Sequence, residues 1–87
     1  MSEVTVYSSP FCPYCFMAKK LLNKKGVAFS EIDVMLHPSK KAEMVKLAQG
    51  RTTVPQIFID GNPIGGFEEL SALDEEGRLD AMLAGTQ

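Results

Sequence analysis

The stretch Phe11-Cys12-Pro13-Tyr14-Cys15 contains both cysteines of this 87-residue chain and lies at the junction of two predicted elements. The preceding run, Glu3–Tyr7, is rich in β-branched and aromatic residues and therefore favours a strand. Pro13 is typical of the first turn of a helix, where a missing N–H costs no hydrogen bond. The cysteine pair is therefore predicted to lie where a strand passes into a helix that Gly26 ends.

The rest of the chain predicts a second strand, a second helix, a hairpin and further helix. The second strand spans Ala28 to Val34. The second helix begins at Pro38. Its apolar stripe contains Met44, Leu47 and Ala48, and Gly50 ends it.

A hairpin is predicted in the second half, because Asp60-Gly61 follows the apolar run Gln56–Ile59. Gly65-Gly66 then breaks a short strand. A third helix follows, and a last helical turn is expected after Gly77. The order is β-α-β-α-β-β-α. A βαβ half with parallel strands and a hairpin half predict an α/β fold, with one four-stranded mixed sheet, flanking helices and a single domain over residues 1–87.

Composition narrows the function classes. A net charge of −2 argues against a general nucleic-acid-binding protein. We expect no membrane span, because no apolar run is long enough, and no secretory leader, because the N-terminal pattern is absent. These features predict a cytoplasmic protein, and the lack of a long apolar patch predicts a monomer. In a reducing compartment, a close cysteine pair is more often catalytic or metal-binding than structural.

The position of the cysteines predicts a division of roles. Backbone N–H groups and the dipole at a helix N-terminus favour negative charge. Thiols at such positions have pKa values lowered from about 8.5 to roughly 3.5–7.5. We therefore expect Cys12 to be ionised at neutral pH and to attack disulfides. Cys15 lies one turn further on, faces the core, and is the expected resolving thiol.

Two other uses of the cysteines are disfavoured. A structural disulfide closing so short a loop would remove little unfolded-state entropy. A zinc site normally takes four protein ligands, or three and a water, whereas this chain offers two cysteines and one histidine, His37. Because His37 precedes a proline at a predicted helix start, we interpret it as a surface capping residue.

Three motifs together resemble the glutaredoxin family, and in particular its small bacterial dithiol members. They are CPYC at Cys12–Cys15, TVP at Thr53–Pro55, and the GG of Gly65-Gly66 before an acidic pair. The resemblance covers the whole chain and implies a thioredoxin-like fold. It also implies a glutathione-dependent thiol–disulfide oxidoreductase with Cys12 as nucleophile and Cys15 as resolving cysteine.

The same resemblance implies cofactors and partners. Glutathione would be the reductant, with no permanently bound cofactor and no metal. The partners would be glutathionylated or disulfide-bonded proteins, with ribonucleotide reductase among the candidates. The protein would thus serve electron transport in cell redox homeostasis.

A glutathione site is also implied by the resemblance. A cis Val54-Pro55 bond would present the Val54 backbone to the peptide-like backbone of glutathione. The N–H groups of Phe67 and Glu68 at a helix start suit the γ-glutamyl carboxylate. The implied contact residues are Tyr14, Arg51, Thr53, Val54, Pro55, Gly66, Phe67, Glu68 and Glu69.

Each part of this site has a plainer interpretation. Thr53–Pro55 can be a simple turn before a strand. Arg51 is equally a solvated loop residue. Glu68 and Glu69 can simply favour a helix N-terminus electrostatically, and which of them contacts glutathione is open.

The chain departs from the family pattern at two places. Many glutaredoxins carry Thr-Lys where this chain has Ser8-Ser9, so Ser9 replaces a lysine that meets the glycine carboxylate of glutathione. Glu68-Glu69 replaces the usual Asp pair, and the extra methylene moves the carboxylates outward. Losing one charge-assisted contact costs on the order of 1 kcal/mol, so we expect a higher KM for glutathionylated substrates than in lysine-bearing relatives.

Two alternative functions stay open. Some glutaredoxins bridge a [2Fe–2S] cluster between two chains through the first cysteine and glutathione, and Cys12 would permit this ligation. Pro13 argues against it, because the proline-containing motif usually disfavours cluster assembly in this family. A non-catalytic binding module on the same fold is the other alternative, which the intact cysteine pair disfavours.

Overall fold

A computed structural model describes residues 2–84 of the chain and confirms the predicted element order. The termini of the predicted 1–87 domain, residue 1 and residues 85–87, lie outside the described residues. The elements are β1 (Val4–Ser8), α1 (Pro13–Lys24), β2 (Ser30–Asp33), α2 (Pro38–Leu47), β3 (Gln56–Ile59), β4 (Asn62–Gly65), α3 (Phe67–Glu75) and α4 (Leu79–Leu83). Helix α4 occupies the place where a last helical turn was predicted.

The four strands form one mixed sheet in the order β2-β1-β3-β4. Strands β1 and β2 are parallel, as expected for a βαβ unit, while β3 is antiparallel to both β1 and β4. In the β1–β3 ladder, Tyr7 pairs with Gln56. The end of β1 therefore lies beside the beginning of β3, which sets the position of the site described below.

The core is divided between the two faces of the sheet, because alternate residues of a strand point to opposite sides. Ile57 and Ile59 pack on one face with buried residues of α1, α3 and α4. Phe58 packs on the other face with Met44 of α2 and with Ala48, the C-cap of that helix. The prediction of helices on both faces is therefore confirmed.

Two local predictions are corrected. The sequence pattern predicts Leu47 in the apolar stripe of α2, but Leu47 is 48 % exposed. The buried side of α2 is centred on Met44 and Ala48, with Val45 packed against the same cluster, so Leu47 lies past its edge. Strand β2 is shorter than predicted and spans Ser30–Asp33, because only these residues pair with β1.

The predicted hairpin turn is confirmed. Asp60 and Gly61 have φ angles of 53° and 81°, the two positive values that a type I′ turn requires. Pro63 lies in β4, which is an edge strand and so tolerates a residue without an N–H.

The longest helix, α1, has 12 residues. No helix among residues 2–84 combines the length and the apolar character needed to cross a membrane.

The exposure of Leu47 on α2 can be tested by truncating it alongside a buried reference, Leu22 on α1. Leu22→Ala removes a fully buried side chain and should lower the free energy of unfolding by about 2–5 kcal/mol. Leu47→Ala removes an exposed one and should change it by less than about 0.5 kcal/mol. Urea unfolding of the reduced proteins measures both, and equal losses would contradict the assignment of Leu47 to the surface.

Candidate active site

Cys12 is the N-cap of α1, and its sulfur is part of the cap. The Sγ accepts the backbone N–H of Cys15 at 3.1 Å. It also lies 3.6 Å from the backbone oxygen of Val54, which can accept the thiol proton. A hydrogen bond from a helix N-terminus stabilises negative charge on the acceptor, so this geometry suits a nucleophilic sulfur.

Cys15 has the opposite environment. It is 1 % exposed, and both cysteines are free thiols. Burial, followed by the hydrogen bond with Cys12, raises the pKa of Cys15 to about 12, although the Ser9 N–H and the charge of Lys19 act in the other direction. At neutral pH Cys15 is therefore a buried, protonated thiol beside an accessible sulfur.

A loop from the start of β3 faces Cys12. The Val54-Pro55 peptide bond is cis, as the family resemblance implied. Gln56 is buried, and its side-chain amide nitrogen donates to the Thr53 carbonyl at 2.9 Å. This hydrogen bond holds the loop against the start of β3. Within residues 2–84 the Val54 N–H donates to no protein acceptor, so it is available to a ligand.

The start of α3 forms the opposite wall. Glu69 Oε1 accepts the Gly66 N–H at 2.7 Å and also binds Arg51 Nη2 at 3.2 Å. The Gly66 hydrogen bond, and then Arg51, hold the pKa of Glu69 below its ordinary range. The first helical bond of α3 runs from Leu70 to Gly66. The N–H groups of Phe67 and Glu68 precede it and have no partner within the helix.

Every residue predicted to contact glutathione lies around one cavity of about 280 Å³. The nine residues come from three separate segments, namely Tyr14 on α1, the 51–55 loop, and residues 66–69 at the start of α3. The Tyr14 and Phe67 rings lie 6.4 Å apart across it. Cys12 lies beside this cavity, because its sulfur contacts the backbone oxygen of Val54, one of the lining residues.

Gly65 is a site residue that the sequence indicated as a strand breaker and as part of the GG motif, but not among the contact residues. Its φ is +119°, and an added Cβ would lie 2.6 Å from Arg51 Nη1 and 2.7 Å from Glu69 Oε1. Glycine is therefore needed both for the backbone conformation and to let the Arg51–Glu69 pair cross above it. The GG pair was the available signal.

A second missed feature anchors the cysteine loop. Glu31 Oε2 accepts from the Ser8 hydroxyl and from Lys19 Nζ, both at 2.7 Å. This carboxylate on β2 ties the end of β1 to α1 on either side of the loop that carries Cys12. No local pattern could indicate it, because the three residues are far apart in sequence.

Comparisons with known proteins agree on one family. The family model described as Glutaredoxin matches residues 4–64. Glutaredoxin 3 of Escherichia coli (strain K12) is 51 % identical over 83 residues, which cover 95 % of this chain and 99 % of that protein. The solution structure of a glutaredoxin from Brucella melitensis is 45 % identical, with a TM-score of 0.82 over 98 % of this chain and 92 % of that one.

A further solved structure is a buckwheat glutaredoxin–glutathione complex. It is 31 % identical and superposes with a TM-score of 0.87, over 97 % of this chain and 78 % of that chain. The architecture of the described residues is thus the thioredoxin-like one that these structures share.

The contrast between the two thiols can be tested by alkylation. At about pH 7–8, well below its raised pKa, Cys15 should resist iodoacetamide while Cys12 is modified. Mass spectrometry should show one adduct on the reduced wild type and none on Cys12→Ser in the same time. Both cysteines should react once the chain is unfolded in concentrated urea, and rapid modification of Cys15 in the folded protein would contradict its protection.

Glu69→Gln tests the charge at the start of α3. Because the native pKa of Glu69 lies below its ordinary value of 4.5, its charge stabilises the fold above that value. This contribution is lost as the pH falls through the native pKa. The wild type should therefore be more stable than Glu69→Gln at neutral pH and have the higher Tm. The difference in the free energy of unfolding should be less than about 1 kcal/mol, because the pair with Arg51 is half-exposed.

Thermal unfolding across a series of pH values measures this difference. The two curves should converge in acid, and Glu75→Gln at the far end of α3 is the matched control. A difference between the wild type and Glu69→Gln that is independent of pH would contradict the electrostatic origin.

Proposed function

Because this chain belongs to the glutaredoxin family and is a thiol–disulfide oxidoreductase, we propose that it uses glutathione to reduce protein–glutathione mixed disulfides and protein disulfides. One observation carries this proposal. The Cys12 sulfur, capped by the Cys15 N–H at 3.1 Å, lies beside a cavity whose free backbone groups match a peptide-like ligand.

In the first step, the Cys12 thiolate attacks the glutathione sulfur of a protein–glutathione disulfide. A new bond joins Cys12 to glutathione, the old S–S bond breaks, and the protein leaves as a thiolate that takes a proton from water. A second glutathione thiolate then attacks the glutathione sulfur on Cys12. The bond between Cys12 and glutathione breaks, oxidised glutathione forms and leaves, and the electron pair of the broken bond regenerates the Cys12 thiolate.

Protein disulfides need the second cysteine. Cys12 attacks one sulfur of the target disulfide, which breaks the target S–S bond and forms a mixed disulfide, and the other target sulfur leaves as a thiolate that takes a proton from water. Cys15 then attacks the Cys12 sulfur, and the second target sulfur leaves as a thiolate that takes up the Cys15 proton. The result is a Cys12–Cys15 disulfide that two glutathione molecules reduce. Because Cys15 is protonated and buried, this branch waits until a bond to Cys12 is already formed.

The cavity supports a definite orientation of glutathione. The Val54 backbone pairs with the cysteinyl residue of the tripeptide, as a short added strand would. The open N–H groups of Phe67 and Glu68 receive the γ-glutamyl carboxylate at the positive end of α3. This places the glutathione sulfur toward Cys12.

Glu68 is the carboxylate that we assign to the glutathione ammonium group. Glu69 already accepts the Gly66 N–H and pairs with Arg51, whereas the Glu68 side chain is exposed and makes no hydrogen bond within residues 2–84. Arg51 has five N–H donors, and only part of them bind Glu69, so the others can bind the glycine carboxylate of glutathione. Glu69 thereby holds Arg51 over the cavity.

The proposal sets this reaction in the cytoplasm, where glutathione keeps thiols reduced. Its partners are glutathione and glutathionylated or disulfide-bonded proteins, ribonucleotide reductase among the candidates, and the chain acts as a monomer. A [2Fe–2S] carrier remains the alternative if reduction fails.

The test is a coupled assay with a small glutathione mixed disulfide, glutathione, glutathione reductase and NADPH. Wild type and Cys15→Ser should turn over, because deglutathionylation needs only the first cysteine. Cys12→Ser should lose activity by more than about a thousandfold, as expected for loss of a nucleophile. An inactive wild type would overturn the proposal, and brown colour in that inactive protein would favour the cluster carrier.

Glu68→Gln tests the orientation of glutathione. It should raise KM for the small mixed disulfide about fivefold, the effect of about 1 kcal/mol, with kcat little changed. Glu75→Gln, also exposed on α3, is the control and should leave KM as in the wild type. Equal KM values for the two variants would contradict the assignment of Glu68.

A further inference from the structure

An apolar groove of about 310 Å³ runs between α1 and α3, next to the cavity of the candidate active site. We call it the α1–α3 groove. The residues that matter below are Phe16, Met17, Lys20 and Lys24 on α1, and Phe67 and Asp74 on α3. Phe67 also lines the cavity beside Cys12, so the groove continues that cavity along the two helices.

The end near Cys12 is apolar. Phe16 directly follows Cys15 and is 65 % exposed, and Met17 is 42 % exposed. Phe67 faces them from the first position of α3. Large apolar side chains left open together on a small protein mark a surface that a partner covers. Methionine in particular adapts its shape to varied apolar groups.

The far end carries positive charge. Lys20 and Lys24 lie one helical turn apart on α1, and neither forms an ion pair with any residue of the described range 2–84. The acid across the groove, Asp74, is already paired with Lys25 at 2.6 Å. The groove is therefore positive although the chain as a whole has a net charge of −2.

We propose that the α1–α3 groove binds the polypeptide of the target protein next to its reactive cysteine. It selects segments with an apolar side chain beside that cysteine and carboxylates beyond it. This selectivity rests on the proposed function, since the target must first place its disulfide at Cys12. Glutathione and the target then occupy neighbouring surfaces that meet at Phe67.

The dimensions agree with a short segment. Phe67 and Asp74 are seven residues apart on α3, which corresponds to about 10 Å along the helix axis. An extended peptide covers that length with about three residues. One apolar residue near Phe16 and Met17, followed by two acidic residues near Lys20 and Lys24, fills the groove.

The experiment compares three glutathionylated peptides as substrates in the coupled assay. Their sequences are Glu-Glu-Leu-Cys-Leu-Glu-Glu, Lys-Lys-Leu-Cys-Leu-Lys-Lys and Glu-Glu-Gly-Cys-Gly-Glu-Glu. Each sequence is symmetric about its cysteine, so the peptide presents the same side chains to the groove whichever way its backbone runs. For the wild type, kcat/KM should be about tenfold higher for the acidic leucine peptide than for the basic one. Electrostatic attraction to the exposed Lys20 and Lys24 favours the first peptide, and repulsion disfavours the second. The glycine peptide should fall between them.

Charge-reversal variants locate the effect. Lys20→Glu combined with Lys24→Glu should reverse the preference in favour of the basic peptide. Lys41→Glu combined with Lys46→Glu makes the same change in net charge on α2, across the sheet, and should keep the acidic preference. High ionic strength should reduce the wild-type preference, because exposed charges are screened.

Three results would overturn the proposal. One is equal kcat/KM for the acidic and basic peptides. Another is an equal loss of preference in both pairs of variants. The third is a concentration-dependent dimer, detected by sedimentation, that Lys20→Glu with Lys24→Glu dissociates, because a second copy would then be the occupant. Turnover of the small mixed disulfide by the wild type separates these failures from failure of the proposed function itself.

Discussion

The hydrogen bond from the Cys15 N–H to the Cys12 sulfur is the contact on which the site depends. A side chain can cap a helix only from the position just before its first turn, so Cys12 must lie between the end of β1 and the start of α1. The Ser8–Glu31–Lys19 hydrogen bonds hold both flanks of that junction. The first turn of α1 also buries Cys15. The same helix start therefore leaves the Cys12 sulfur accessible and protects the Cys15 thiol.

The sheet brings the residues around the cavity to this sulfur. Because β3 runs antiparallel to β1, the start of β3 lies beside the end of β1, and the cis Val54-Pro55 peptide faces Cys12. The following hairpin returns the chain along the edge of the sheet and delivers α3 with its N-terminus toward the same space. Two helix N-termini thus meet at one cavity, and both favour negative charge there.

The adjacent glutamates at the start of α3 show how packing separates residues that look equivalent. Glu69 caps Gly66 and pairs with Arg51, which joins the two walls of the cavity, whereas Glu68 stays exposed. Gly65 makes this possible, because any larger residue would meet both members of the pair. The groove between α1 and α3 continues the same surface along the two helices.

Much of the fold followed from the sequence alone, because the controlling effects are local. Alternation, helical spacing, Pro13 at a helix start and the positive φ angles of Asp60-Gly61 act over a few residues. Motifs at fixed spacing indicated the family and the residues around the cavity. Only the tertiary structure decided that Leu47 is exposed, that Glu69 is committed to Arg51, and that Glu31 anchors the cysteine loop. These depend on distances between segments far apart in the chain, which sequence periodicity does not contain.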